Sequence, residues 1–123
     1  GANLTLVEGA GGWRVPVNER ETLADLAVAL AIPVVLVVGM RFGCINHTLL
    51  TVEAISRDGL KLAGWVANCI DPQMAELDAN IMTLQHRIQA PMLGVVPNLA
   101  SIEKVSARMA ACQTYLDLEM LLN

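Results

Sequence analysis

A single carboxylate, Glu8, closes the apolar run Leu4-Thr5-Leu6-Val7 and leads directly into Gly9-Ala10-Gly11-Gly12, a loop almost without side chains. Those residue types suit a metal and phosphates: Mg²⁺ takes hard oxygen ligands, and glycines let backbone N–H groups approach an anion closely. The run before Glu8 reads as a buried parallel strand, and ligands of open α/β sheets gather at the carboxyl ends of such strands. A glycine-rich acidic turn that holds nothing is the plain alternative. The four-residue loop taken alone favours it, because short motifs often match by chance.

A second candidate follows the run Val34–Val38, where the chain reads Gly39-Met40-Arg41-Phe42-Gly43-Cys44-Ile45-Asn46-His47-Thr48. Leu49, Val52 and Ile55 then recur at helical spacing, so the loop feeds a helix start. Free N–H groups at Gly43, Cys44, Ile45 and Asn46, with the positive end of the helix dipole, suit a carboxylate or a phosphate. For Asn46 alone an N-cap is the simpler role, and for Cys44 a small buried thiol, since no base stands beside it. His47 and His86 lack the carboxylate or cysteine company of a metal ligand, and read as capping or surface residues. The run Gly64-Trp65-Val66-Ala67 ends in Asn68, whose amide can both donate to and accept from an adenine edge; a loop-forming Asn is the alternative. After Val95-Val96, the segment Pro97-Asn98-Leu99 turns away from the sheet and could wall a base pocket.

The elements that must position these residues alternate. Apolar runs at Leu4–Val7, Pro33–Val38, Leu62–Ala67 and Met92–Val96 predict four strands. Between and after them lie helices expected at Thr22–Ala31, Ile45–Asp58, Met74–Ile88 and Ser101–Leu122, the last with a break near Gln113 and the second stopped by Gly59. This order predicts an α/β fold, a doubly wound, mostly parallel sheet in a three-layer α/β/α sandwich. Its first strand would expose an unpaired edge.

Composition narrows the function classes. At 123 residues with 54% apolar content the chain is at most one well-packed domain. A net charge of -4, eight Lys and Arg with no basic run, and 3% aromatic residues leave no footprint for nucleic acid. The longest uncharged apolar stretch, Leu26 to Met40, is interrupted by Pro33 and falls short of the roughly 20 residues a membrane span requires. Cys44, Cys69 and Cys112, an odd number without C-x-x-C spacing, fit reduced thiols in a cytoplasmic setting, with Cys69 and Cys112 as core residues. The chain opens on Gly1-Ala2-Asn3 just before a core-type strand, which reads as a piece of a longer chain.

Taken together, Val7-Glu8-Gly9-Ala10-Gly11-Gly12-Trp13, Gly43-Cys44-Ile45-Asn46-His47, Gly64-Trp65-Val66-Ala67-Asn68 and Pro91-Met92-Leu93-Gly94-Val95-Val96-Pro97 resemble the carboxyl-terminal half of the dethiobiotin synthetase family. The match reaches about Leu99 and is loose beyond it. The resemblance implies a P-loop-type ATPase fold and an ATP- and Mg²⁺-dependent ligase of biotin synthesis. Its substrate, 7,8-diaminononanoate, takes up CO₂ as a carbamate, ATP phosphorylates it, and the second amine closes a cyclic urea with release of phosphate. It also implies roles: Glu8 as the acidic Mg²⁺ ligand, Gly11 and Gly12 as catalytic backbone donors to the carbamate or the transferred phosphoryl group, Glu8, Gly9, Ala10 and Gly11 in the nucleotide site, and Asn68 on adenine. Pro97, Asn98 and Leu99 would line the base pocket. Gly43, Cys44, Ile45 and Asn46 would bind the substrate's carboxylate tail across a homodimer interface.

Two departures qualify the resemblance. No G-x-x-x-x-G-K-[ST] loop occurs in the sequence, so the family's P-loop is expected upstream of Gly1 and the piece alone is expected to be inactive. Asn80 stands where some family members place a tyrosine near the substrate. A cobyrinate amide synthase or a partition-type ATPase would build a similar sheet, but the Gly43–His47 segment favours the biotin enzyme. A non-catalytic dimerising module is the alternative from another class.

Overall fold

The computed structural model describes residues 4–121; Gly1-Ala2-Asn3 and the predicted helix end at Leu122 lie outside them. Three of the expected strands form one parallel sheet: β1 (Val34–Gly39), β2 (Leu62–Asn68) and β3 (Met92–Val96), in the order β1-β2-β3. The register places Gly39 beside Asn68, and Asn68 beside Val96. The loops singled out at residues 40–46 and 97–99 therefore leave one edge of the sheet, with Asn68 between them.

The helices are α1 (Leu23–Leu30), α2 (Cys44–Arg57), α3 (Leu77–Arg87) and α4 (Val105–Gln113), with a short 3₁₀ turn at Glu119–Leu121. Two cores bracket the sheet. On one face Val38, Met40, Trp65 and Ala67 pack with Cys44 of α2 and with Ile81 and Leu84 of α3. On the other, Val66, Leu93 and Val96 meet Cys112, Leu116 and Leu121. The alternation of strand side chains between faces thus builds the expected α/β layers. Trp65, Met40, Ile55, Leu84 and Leu93 are the large side chains most fully enclosed.

Three boundaries differ from expectation. Leu4–Val7 forms no strand: it is exposed, Leu6 at 76%, and pairs with no described strand. An apolar run supplies side chains for a strand but not the neighbouring backbone that makes it one. The third helix starts at Leu77, not Met74, because Glu76 takes a left-handed conformation (φ 55) and breaks the helical path. The fourth helix starts at Val105, not Ser101, and ends at Gln113, where the break was expected. Beyond it the chain turns back onto β3, Asp117 N–H donating to the Leu93 carbonyl at 2.7 Å. That return covers the outer edge of β3, whereas β1's outer edge faces an open cleft.

Candidate functional site

A cleft of about 900 Å³ lies between the segment Leu4–Gly12 and the outer side of β1. Glu8, Gly9, Gly11 and Gly12 line it, together with Arg41, Cys44, His47 and Thr48 from the loop after β1 and the first turns of α2. The acidic glycine loop and the start of α2, 36 residues apart from Glu8 to Cys44, thus share one cavity. Glu8 is exposed and, among the described residues, has no ion-pair or hydrogen-bond partner. Gly11 and Gly12 both have positive φ, at 95 and 120, so the loop bends sharply just beyond the carboxylate.

The start of α2 is more particular than its sequence suggests. Gly43, in a left-handed conformation (φ 89), is the N-cap residue, a position where a side chain would be strained; Asn46 is not the cap. The Cys44 N–H already donates to the Arg41 carbonyl at 3.0 Å, and His47 N–H to that of Gly43 at 3.2 Å. The N–H groups of Ile45 and Asn46, in the first turn of α2, find no acceptor among the described residues. The Ile45 side chain packs against the core, while Asn46 is exposed. Cys44 is buried, and its Sγ lies 3.9 Å from Oδ1 of Asn80 on α3. Asn80 Nδ2 in turn donates to the Glu76 carbonyl.

Asn68, Pro97, Asn98 and Leu99 come together in a second, shallower groove of about 440 Å³, closed on its far side by Arg108, Met109 and Cys112. The Asn68 side-chain amide makes no hydrogen bond among the described residues, which leaves a donor and an acceptor free at the groove. Asn98 is spent on its own turn: Oδ1 accepts from Ala100 N–H and Nδ2 donates to the Ile70 carbonyl. Ile70 borders both depressions, so the two candidate sets are neighbours but line separate cavities. Ala10, Gly43, Ile45 and Asn46 line neither.

Burial pushes the Cys69 thiol up, with the Asp78 carboxylate adding to the shift, which keeps it protonated as a core residue. No group of three or more His, Cys, Asp or Glu capable of holding a metal occurs among the described residues. The lone Glu8 still fits Mg²⁺, which takes one or two carboxylates and fills its other positions with water and phosphate oxygens. Arg41, His47 and Thr48 line the cleft beyond the residues expected from the sequence. Arg41 carried a usable signal, a cation in the loop leaving β1 at the ligand-binding edge.

Comparison with known proteins adds the family. A model of the AAA domain, a P-loop NTPase family, matches residues 2–106, most of the chain. The chain belongs to the AAA domain family. Within that family it is 61% identical over 122 residues to the ATP-dependent dethiobiotin synthetase of Cellvibrio japonicus, covering 99% of this chain and 51% of that protein. Against the enzyme of the same name from Pseudomonas aeruginosa it is 59% identical, covering 98% and 50%. For that from Ralstonia nicotianae the figures are 53%, 89% and 47%. This AAA-domain chain spans about half the length of the curated relatives it matches. No helix among its described residues is long and apolar enough to cross a membrane.

Proposed function

We propose that this chain supplies the carboxyl-terminal half of an ATP-dependent dethiobiotin synthase, which closes the ureido ring of dethiobiotin on 7,8-diaminononanoate with CO₂. The observation that carries the reading is the shared cleft, lined both by Glu8, whose carboxylate has no partner among the described residues, with Gly9, Gly11 and Gly12, and by Arg41, Cys44, His47 and Thr48 around the start of α2. Identity of 51–61% to dethiobiotin synthetases over most of this chain supports it.

In this reading Glu8 would hold Mg²⁺, which, when bound, neutralises phosphate charge that opposes attack. The backbone of Gly9, Ala10, Gly11 and Gly12 approaches the phosphoryl and carbamate oxygens and donates N–H groups to the charge that develops there. Ile45 and Asn46 N–H groups, at the positive end of α2, hold the substrate's carboxylate, with Gly43 and Cys44 shaping the turn that presents them. Asn68 reads adenine in the shallow groove walled by Pro97, Asn98 and Leu99. Phe42, fully exposed beside this loop, gives the α2 end an apolar surface suited to a second subunit of a homodimer. The enzyme works in the cytoplasm, and this half alone is inactive.

The test is conversion of 7,8-diaminononanoate, bicarbonate and MgATP to dethiobiotin, ADP and phosphate by the full-length protein. Product is expected. A folded protein that binds ATP and forms none would reject the reading.

A further inference from the structure

The acidic glycine loop has no hold of its own. Among the described residues, Leu4 through Gly12 form no hydrogen bond, and the first anchors after Glu8 are those of Trp13. The Trp13 carbonyl accepts from Ala24 N–H at 3.1 Å, and the Val15 carbonyl from Leu23 N–H at 2.8 Å, which ties this segment to the first turn of α1. Across the molecule, the Trp13 indole Nε1 donates to Oδ2 of Asp58 at 2.7 Å, 45 residues away. Arg14 grips the same carboxylate with both terminal nitrogens, Nη1 lying 2.8 Å from Oδ2 and Nη2 3.0 Å from Oδ1.

Asp58 sits at a fixed place. It caps the carboxyl end of α2, where Gly59 N–H donates to the Ser56 carbonyl and Leu60 N–H to that of Ile55, the paired bonds of a Schellman motif. A carboxylate at that end opposes the helix dipole, so helix stability gives no reason for an acid here. The residues it holds do: Trp13 lines the same cleft as Glu8 and directly follows Gly12. The far end of the same helix begins at Cys44, which also lines the cleft. One rigid helix therefore carries a wall of the site at its start and the anchor of the opposite wall at its end.

We propose that Asp58 is a positioning residue that fixes the Glu8–Gly12 loop over the cleft by holding Trp13 and Arg14. Its consequence for metal binding rests on the proposed function; its consequence for the loop does not.

The test uses the full-length protein as wild type, Asp58→Ala, Asp58→Asn and Trp13→Phe. Two quantities are read beside the melting temperature: backbone ¹⁵N order parameters at Gly9, Gly11 and Gly12, and the Mg²⁺ concentration that half-saturates dethiobiotin formation. In Asp58→Ala and Trp13→Phe the loop glycines gain mobility and half-saturating Mg²⁺ rises about tenfold, the scale of losing support behind a metal ligand. Asp58→Asn keeps an oxygen to accept from Trp13 and restores most of both. Lower melting temperatures with unchanged order parameters and unchanged metal dependence would overturn the proposal, leaving Asp58 a merely structural tie. If Asp58→Ala does not fold, Trp13→Phe, which leaves the Arg14 pair intact, decides. If wild type forms no dethiobiotin, the functional reading fails, and the order parameters alone support or overturn the positioning role.

Discussion

Gly94 of β3 and Tyr115 approach so closely that a Cβ on Gly94 would overlap the Tyr115 carbonyl oxygen. This contact lets residues 115–117 lie along β3 and cover its edge. Gly94→Ala must push that backbone away, and forced overpacking of this kind costs about 1–3 kcal/mol. Urea denaturation of the full-length protein should show that loss; an unchanged midpoint would mean that the edge cover is loosely held.

Asn68 leaves its amide free at the shallow groove while its carbonyl accepts from Met40 N–H at 2.8 Å and Ile70 N–H at 3.0 Å. Asn68→Ala removes the side chain without touching those backbone bonds. Loss of one or two hydrogen bonds to a ligand predicts a rise in KM for ATP of about tenfold, with kcat and melting temperature nearly unchanged. Steady-state kinetics at saturating diaminononanoate check it, and an unaltered KM for ATP would remove Asn68 from the base site.

Arg14, and after it the Trp13 indole, hold the Asp58 carboxyl below the usual carboxylate range. A carboxylate lowered on folding adds stability above its unfolded pKa, and that contribution is lost as pH falls through the folded value. Asp58→Asn should therefore be less stable than wild type at neutral pH, by a margin that is constant down to about pH 5 and shrinks progressively in stronger acid. Urea midpoints at a series of pH values measure it. A margin that does not change with pH would show that Asp58 acts through shape and not charge.

Much of the fold was legible because its signals are local. Val34–Val38, Leu62–Ala67 and Met92–Val96 are continuous apolar runs ended by Gly, Asn and Pro in turn, and each is a strand. Leu4–Val7 carries the same signal but lacks a described neighbour to pair with, which no local pattern can reveal. Cys44–Asn46 was readable as a helix start, since the spacing of Leu49, Val52 and Ile55 marks the helix that follows. That the Cys44 N–H is already engaged depends on the tight turn from Arg41, which propensity does not specify. The hold of Asp58 on Trp13 and Arg14 joins residues 44 and 45 positions apart and left no periodic trace. Glu8 and Asn68 stood out because each is polar at the end of an apolar run. That they border separate cavities with Ile70 between them is set by packing across the sheet edge.

If Glu8 is the acidic ligand of a dethiobiotin-forming site, Glu8→Gln in the full-length protein removes that ligand. The substitution keeps size and removes the charge that fits Mg²⁺, from an exposed residue that makes no described contact the fold depends on. Dethiobiotin formation measured against Mg²⁺ should fall by about a hundredfold or more, with the melting temperature unchanged. Turnover and metal dependence equal to wild type would contradict the account.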